Sequence, residues 1–199
     1  MLKVGITGGI GSGKTTVCNI FKSIGVPVYN ADKRAKALME TDEALIGKIK
    51  GLFGNNIYND KNLNRKQLAE IVFNDAEKLK ALNALVHPAV GKDALHWQEK
   101  MEKDGHPYTL KEAALLFETG SYKALDKIIV VDAPEKLRIQ RVMKRDAVSE
   151  KEVRARMDKQ WPQKRKNELA DYIIHNDGEN VLIPQIRKLH KQLIEIAKR

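Results

Sequence analysis

A short apolar run, a glycine-rich segment and an amphipathic stretch follow one another at the start of the chain. Residues 2–7 are mostly apolar, as expected of a parallel strand buried on both faces. The helix predicted after the glycines has a buried face at i, i+3, i+4 and i+7, made of Val17, Ile20, Phe21 and Ile24. Gly25 is well placed to cap that helix, and a second strand is predicted at 26–29. The pattern therefore predicts a βαβ unit with a right-handed crossover.

A helical pattern then occupies residues 31 to about 104. Asn64 and Asn74 are predicted N-caps, because each is followed three residues later by a Gln or Glu side chain. One buried helix face is predicted at Leu79, Leu82, Leu85 and Val86. His87-Pro88 is predicted to end a helix, with the proline preventing continuation. The stretch is too long for an ordinary crossover, so we expect an inserted helical lobe that could hold a second substrate.

Further short apolar runs near 108–110, 127–131 and 172–174 bring the predicted sheet to about five strands. Between the last two lies a basic helical segment that Trp161-Pro162 is predicted to interrupt. A final amphipathic helix carries Ile186, Leu189, Leu193 and Ile194. The alternation of strands and helices predicts an α/β fold with a parallel sheet.

Composition narrows the class of protein without choosing a function. With 199 residues, 42% hydrophobic and 31% charged, the chain is expected to form an ordinary globular protein. The net charge of +10 favours anionic partners, but no groove-reading or base-stacking motif accompanies it, so we do not expect nucleic acid binding as the main role. The N-terminal apolar run is too short for a signal peptide or a membrane span, and the only cysteine, Cys18, cannot form an internal disulfide. We therefore expect a cytoplasmic protein with no membrane partner.

The strongest chemical signal is the segment 8–15, which fits the phosphate-loop pattern G-x-x-x-x-G-K-[ST] between a predicted strand and a predicted helix. Glycines let successive backbone N–H groups point at phosphate oxygens, and the positive end of the helix adds to the attraction. Lys14 is expected to reach the β- and γ-phosphates of ATP, and Thr15 to coordinate Mg²⁺. The predicted nucleotide-binding residues here are Gly9, Gly11, Ser12, Gly13, Lys14, Thr15 and Thr16.

The loop by itself does not distinguish a kinase from other nucleotide-dependent proteins, so the acceptor must be argued from other residues. Asp32 follows the second predicted strand and is placed to orient an attacking hydroxyl, although a surface or helix-capping role fits its position too. Arg141 and Arg145 lie at i and i+4 on one predicted helix face. Two such guanidiniums suit a lid over the phosphates, and the alternative is a solvated helix face.

Taken together, these residues resemble those of the dephospho-CoA kinase family, which phosphorylates the ribose 3′-hydroxyl of dephospho-CoA at the end of coenzyme A synthesis. The segments that carry the resemblance are, in order, 4–14, Ala31-Asp32, Arg65 with Leu68, Val72-Phe73, His87-Pro88, 115–118, Val130-Val131, Arg141 with Arg145-Asp146, Gln160, and Ala170-Asp171 leading to Asn176. They span nearly the whole chain, and their order is far more specific than the loop. The resemblance implies ATP and Mg²⁺ as cofactors and dephospho-CoA as the substrate.

Residue by residue, the resemblance implies that Asp32 is the acceptor-side carboxylate and that Lys14 and Arg141 take part in catalysis. It assigns Arg65 and His87 to CoA binding. The two remaining nucleotide contacts that it implies are Arg145 in the lid and Asn176 on the adenine side.

The implied fold is a three-layer, phosphate-loop kinase-like domain with a five-stranded parallel sheet. Its core is expected at about 1–30, 105–137 and 167–199. The helical CoA-binding lobe is expected at about 31–104, and the lid at about 138–166.

Several positions depart from the family pattern. Asn30 replaces the acid that often precedes Ala-Asp, and Gly91, beside Lys92, replaces an arginine. Lys111-Glu112 are predicted to interrupt the third strand, and Ala114 replaces a proline. Glu112 could instead supply an acidic side chain close to the Mg²⁺ ligands.

Other functions remain open at this point. Another nucleotide or nucleoside kinase would use the same loop. A regulatory GTPase or a nucleic-acid-stimulated ATPase would need a guanine-reading Asn-Lys-x-Asp or a clear acidic strand end, and the nearest segment is 130–134. A pure binding module is disfavoured because Lys14, Thr15 and Asp32 form a complete set for phosphoryl transfer. The sequence does not indicate an oligomeric state.

Overall fold

The computed structural model describes residues 1–60 and 62–199. The strands are β1 Leu2–Thr7, β2 Val28–Asn30, β3 Tyr58–Asn59, β4 Asn62–Leu63, β5 Tyr108–Glu112, β6 Lys127–Asp132 and β7 Tyr172–His175. The α-helices are α1 Lys14–Ser23, α2 Ala31–Thr41, α3 Glu43–Phe53, α4 Arg65–Asn74, α5 Ala76–Lys103, α6 Glu135–Asp146, α7 Glu150–Met157, α8 Gln163–Glu168 and α9 Leu182–Ala197.

The main sheet has five parallel strands in the order β2-β5-β1-β6-β7, with helices on both faces. This confirms the predicted three-layer α/β fold. β1 lies in the middle of the sheet, where Val4 and Ile6 are completely buried. Because all five strands run the same way, the loop that follows β1 lies at the carboxyl edge of the sheet, where α/β proteins bind their ligands.

The helix after β1 forms and ends near Gly25 as the sequence predicts, but Ile24, predicted on its buried face, is exposed because it lies beyond the last helical turn. Val17 and Phe21 of α1 are fully buried in the core beside the sheet and α9. Gly25 adopts a φ of 87°, and its N–H donates to Lys22 O while Val26 N–H donates to Phe21 O. This pair of hydrogen bonds is a Schellman motif, which requires a residue that tolerates positive φ after the helix.

The predicted interruption of the third strand is wrong. β5 continues through Lys111 and Glu112, and both side chains are buried. Burial lowers the pKa of Lys111, because desolvation disfavours its charged form. Strand hydrogen bonds on both edges hold this segment in place, since β5 pairs with β1 on one side and β2 on the other.

Three predictions for the helical stretch are also wrong. Asp75, not Asn74, directly precedes α5, and its carboxylate accepts the hydrogen bond from Lys78 N–H in the first turn. The helix continues through Pro88. A proline removes a single backbone N–H donor, and the remaining residues of this 28-residue helix keep theirs. Leu79 is 39% exposed and does not belong to the buried face.

The short antiparallel hairpin of β3 and β4 was not predicted either. Two-residue strands show too little alternation to be recognised within a helical pattern.

The chain divides into two compact units. The first comprises residues 1–30 and 98–199 and contains the five-stranded sheet, and the second comprises Ala31–Trp97 and contains the β3–β4 hairpin. No helix in the described ranges combines the length and apolar character needed to cross a bilayer.

Candidate functional site

The phosphate loop connects β1 to α1, and its glycines meet two separate steric demands. Gly13 has a φ of 90°, and a Cβ at this position would collide with the side-chain nitrogen of Asn176. Gly11 has a φ of 79°, and a Cβ there would collide with the backbone of Arg138. Gly13 is also the N-cap of α1 and offers no side-chain acceptor. The first N–H groups of α1 therefore have no capping side chain and are suited to phosphate oxygens.

The polar side chains of the loop already have a defined arrangement. Lys14 Nζ donates to Gly8 O at 2.7 Å, so the ammonium lies over the loop backbone. Thr16 is exposed at the start of α1. The Ser12 hydroxyl is buried and has no hydrogen-bond partner in the described part of the chain.

A carboxylate lies directly beside the start of α1. The Thr15 hydroxyl donates to Glu112 Oε1 at 3.0 Å, and the Asn30 amide donates to Glu112 Oε2 at 2.6 Å. Hydroxyl and carboxylate oxygens are the hard ligands that Mg²⁺ prefers. Across residues 1–60 and 62–199, no group of three or more His, Cys, Asp or Glu side chains is arranged to hold a metal.

Two glutamines hold the outer part of the phosphate loop. Gln163 Oε1 accepts from Gly9 N–H at 2.9 Å, and Gln160 Oε1 accepts from Ile10 N–H at 2.8 Å. Gln163 also donates through Nε2 to Val131 O, so it connects the loop to β6. These two loop N–H groups thus have side-chain acceptors, and the Ser12 N–H donates to Gly9 O within the loop.

The segment that carries these glutamines is anchored by a buried ion pair. Lys166 is completely buried, and its Nζ lies 2.8 Å from Glu118 Oε1. The same oxygen accepts from Trp161 N–H at 2.7 Å. The Trp161 ring stacks on Phe117, with the ring planes 5° apart, and Arg165 lies 3.6 Å above its centre. The two ends of this segment are therefore joined to one carboxylate.

The predicted lid arginines have different surroundings. Arg141 donates to Asn176 O at 3.0 Å and to its Oδ1 at 3.4 Å, and Asn176 Nδ2 in turn donates to Ser12 O. Arg145 is largely exposed and pairs with Asp146. Arg145 and Arg156 together lower the pKa of Asp146 to about 2. The structure brings Arg141 and Asn176 together with the phosphate loop and pairs Arg145 with its sequence neighbour.

Arg138 is a buried cation behind the loop. It is 6% exposed, its Nε donates to Ala133 O, and its guanidinium occupies the space where Gly9 would carry a Cβ. Burial lowers the pKa of Arg138, while the charges of Glu135 and Asp132 oppose that shift. A side chain at Gly9 would therefore require the Arg138 guanidinium to move.

The other predicted residues lie in the second unit. Asp32 is in the first turn of α2. Arg65 begins α4 and bonds back to α2, through Lys36 O and the carboxylate of Glu40, both at 3.0 Å. His87 lies in α5, where partial desolvation lowers its pKa. Arg65 and His87 make no hydrogen bond or ion pair with each other in the described ranges.

The departure at Gly91 has no steric cause. It lies in α5, and a Cβ built there would meet no atom within 4 Å. A Cβ at this position would therefore fit without moving the helix.

Sequence reasoning missed several of these residues. Gln163, Glu118, Lys166 and Arg138 carry side-chain contacts to the loop or its anchor, and none was assigned a role. Single polar residues give no periodic signal, and the partners of the glutamines and of Glu118 lie 43 to 154 positions away. The family resemblance named Gln160 and Glu118 without indicating what they contact.

Comparison with known proteins places this site in a family. The family model for dephospho-CoA kinase matches residues 2–181. A dephospho-CoA kinase from Chlorobaculum tepidum is 41% identical, covering 99% of this chain and 97% of its own length. A crystal structure from Thermus thermophilus shares 34% identity with a TM-score of 0.81, covering 98% of this chain and 96% of that chain. The dephospho-CoA kinase structure from Campylobacter jejuni shares 32% identity with a TM-score of 0.70, covering 98% and 97%. With the phosphate loop, the parallel sheet and a match over most of its length, the chain belongs to the dephospho-CoA kinase family.

Proposed function

We propose that this chain transfers the γ-phosphoryl group of ATP to the ribose 3′-hydroxyl of dephospho-CoA, giving coenzyme A and ADP. The family makes the chain a kinase of coenzyme A biosynthesis. The observation that carries the proposal is the phosphate loop at the carboxyl end of β1, with Lys14 and Thr15 at the start of α1. Phosphoryl transfer depends mainly on positioning and charge neutralisation, and this loop provides both.

The loop binds the phosphates of ATP through backbone N–H groups and Lys14. The α1 N-terminus offers donors without a capping side chain, and the helix dipole favours negative charge there. Lys14 Nζ, which donates to Gly8 O, exchanges that carbonyl for phosphate oxygens when ATP binds. The proposed phosphate contacts also include Gly9, Gly11, Ser12, Gly13, Thr15 and Thr16.

Asp32 acts on the acceptor. It lies two residues beyond the end of β2, and residues that follow the strands of a parallel sheet line its ligand crevice. A carboxylate there orients the 3′-hydroxyl and accepts its proton as the new P–O bond forms. Its role is on the acceptor side, whereas Lys14 acts on the phosphates.

Thr15 is the proposed protein ligand of Mg²⁺, with Glu112 behind it. The donor set fits, because Thr15 is an exposed residue whose hydroxyl is hydrogen-bonded to a buried carboxylate. When bound with ATP, Mg²⁺ neutralises charge on the β- and γ-phosphates.

Arg141 and Asn176 are the proposed nucleotide contacts on the lid side of the loop. Their mutual hydrogen bonds and the Asn176–Ser12 contact support a shared position beside the loop. Arg141 stabilises charge on the transferring group, and Asn176 lies on the adenine side. Arg145 is proposed to join them after giving up its contact with Asp146.

The remaining assignments concern the subdivision of the chain. We propose a core at about 1–30, 105–137 and 167–199, a lid at about 138–166 and a CoA-binding lobe at about 31–104. Arg65 and His87 bind the CoA moiety in that lobe. A cytoplasmic location is also proposed, in keeping with the single, buried thiol of Cys18.

The test is a substrate panel. The protein is incubated with Mg-ATP and, separately, dephospho-CoA, nucleoside monophosphates, nucleosides or RNA, and ADP release is followed. We expect turnover with dephospho-CoA well above the rate with water, and a product phosphorylated at the 3′ position. Equal rates with dephospho-CoA and water would exclude the proposed acceptor, and preferential turnover of a monophosphate or nucleoside would favour another kinase of this class.

A further inference from the structure

Arg138 lies near the start of α6 and packs against the phosphate loop at two of its glycines. A Cβ at Gly9 would collide with its Nη1, and a Cβ at Gly11 would collide with its backbone oxygen. The residue is 6% exposed. Its Nε donates to Ala133 O at 3.1 Å, which holds the guanidinium in place beside the loop. A cation is therefore fixed next to the backbone that is proposed to bind phosphate.

Most of the hydrogen-bonding capacity of Arg138 is unused. A guanidinium has five N–H donors, and only the Nε donor has an acceptor among the residues that the structure describes. Arginine is seldom so buried unless it is paired, because a charge that leaves water without gaining partners is costly. The four Nη donors therefore favour an anionic ligand with several acceptor oxygens, and a phosphate group is such a ligand.

The positive charge of Arg138 is not neutralised by a neighbouring acid. Glu135 and Asp132 are the acids whose charges act on Arg138, and they oppose the lowering of its pKa by burial. In the described structure, neither of them forms an ion pair with Arg138. Glu135 instead pairs with Arg154 at 2.9 Å, and Asp132 lies 3.7 Å from the imidazole of His175. The charge of Arg138 therefore remains available to an anion in the loop.

The close approach of Arg138 to the loop strengthens its effect on phosphate. Gly9 has no side chain, so the guanidinium approaches the loop backbone directly. Little water can surround a side chain that is nine-tenths buried, so its charge is screened less than that of an exposed residue. Because Arg138 is already fixed, it also loses little side-chain freedom when an anion binds. Lys14, by contrast, has to exchange its contact with Gly8 O for phosphate oxygens.

We propose that Arg138 is a fixed cation of the phosphate loop, which strengthens binding of the ATP phosphates through its charge and its Nη donors. The role rests on the proposed binding of ATP at this loop. It is separate from the choice of acceptor, because ATP can bind without one. It also differs from the role of Arg141, which bonds to Asn176 and belongs to the proposed lid.

The first test compares Arg138→Met with Arg138→Lys, two unbranched side chains of similar length of which only lysine is charged. ATP binding is measured by calorimetry without dephospho-CoA, and inorganic tripolyphosphate is measured as a competitor. In Arg138→Met we expect the Kd for both to rise roughly 10- to 100-fold, because charge-assisted hydrogen bonds are lost. In Arg138→Lys we expect at most about half of that loss on a logarithmic scale, because the charge is kept and the fork of donors is not.

The matched control is Arg187→Met, which makes the same change in side chain and net charge. Arg187 is an exposed residue of α9 and lines a surface cleft with Ile24, which follows the end of α1 away from the loop. This variant should bind ATP and tripolyphosphate like the unmodified protein.

A second readout separates the charge of Arg138 from its packing. Lysine keeps a buried charge and methionine removes it, so urea titrations without nucleotide should give Arg138→Met the larger free energy of unfolding. The affinity for ATP should follow the opposite order, with Arg138→Lys binding more tightly. A side chain that only packs against Gly9 would place the two variants in the same order in both measurements.

Three results would overturn the proposal. The first is an ATP affinity in Arg138→Met equal to that of the unmodified protein, and the second is an equal loss in the methionine and lysine variants. The third is the same order of the two variants in stability and in ATP affinity. If Arg138→Met does not fold, Arg138→Gln replaces it in each comparison, because glutamine is neutral and can still donate to Ala133 O. Since these titrations contain no acceptor, they can fail while the substrate panel succeeds, and the reverse also holds.

Discussion

Gln160 accepts a hydrogen bond from the backbone N–H of Ile10 at 2.8 Å, which joins the segment before α8 to the phosphate loop. Gln163 repeats this contact one residue earlier, at Gly9. Both bonds use side-chain oxygens as acceptors, the role that we propose for phosphate oxygens elsewhere in the loop. The loop is therefore held in shape by the protein at one end and is left open to ATP at the other.

Gln160→Leu should weaken ATP binding. Leucine has a similar size but cannot accept, so the Ile10 N–H loses its partner at a cost of about 1–3 kcal/mol. We expect the Kd for ATP to rise roughly tenfold, while kcat at saturating ATP changes less. Gln192→Leu, on the exposed face of α9, is the control. Unchanged ATP affinity in Gln160→Leu would show that the contact does not shape the loop.

Asp32→Asn should separate binding from chemistry. The amide has the same shape but cannot take up the proton of the substrate hydroxyl, so kcat should fall by roughly 10²–10⁴. The Kd for ATP should stay within about twofold, because the role proposed for this side chain is on the acceptor. Asp104→Asn, an exposed position after α5, should leave both constants unchanged. Near-normal kcat in Asp32→Asn would contradict the assigned role.

Glu118→Gln should destabilise the first unit. The change leaves the fully buried Lys166 without its counter-ion, which costs about 3–5 kcal/mol in comparable buried pairs. The free energy of unfolding from urea titrations measures this loss. In Glu118→Gln/Lys166→Met both charges are absent, so this double variant should be more stable than the single one. If the two variants unfold alike, the stranded charge is not the cause.

Acid should destabilise the protein through His190. Its Nδ1 lies 2.6 Å from the Tyr108 hydroxyl, and burial lowers the pKa of the imidazole below its ordinary 6.5. Between pH 6.5 and the lowered pKa, the unfolded chain binds more protons than the folded chain. The contribution of His190 to the free energy of unfolding is therefore complete above pH 6.5 and is lost as the pH falls through the lowered pKa.

Urea titrations at several pH values should therefore give a shallower pH dependence for His190→Gln. Some dependence should remain, because the pKa of His87 is lowered as well. Tyr108→Phe should lower the free energy of unfolding by about 1 kcal/mol at every pH, because one hydrogen bond is lost. The pH dependence should stay the same, since desolvation and not the Tyr108 hydroxyl lowers the pKa of the imidazole. A slope that disappears in Tyr108→Phe would assign the shift to the hydrogen bond instead.

The sequence was sufficient for the sheet and the loop because their signals are local. Residues 2–7 and the glycines that follow determine strand, loop and helix within 25 positions. Pro88 and Asn74 were misjudged for the same reason, since local rules end a helix at proline and cap it at asparagine. In the folded chain, the long helix α5 continues through Pro88, and Asp75 accepts the hydrogen bond at its start.

The parts of the candidate site that could not be predicted depend on contacts distant in sequence. Glu112 looked like an interruption of a strand because Thr15 and Asn30, its hydrogen-bond partners, are 97 and 82 positions away. Gln163 gave no signal, because nothing in a basic stretch distinguishes a side chain that bonds to Gly9 from its solvated neighbours.

The position of β1 between β5 and β6 has a consequence for how the protein is made. The ribosome delivers the phosphate loop well before both strands that flank β1, because these lie more than 100 residues further along. At about 5–20 residues per second, β1 waits on the order of ten seconds for its neighbours to emerge. The nucleotide site therefore becomes complete long after its phosphate loop has been synthesised.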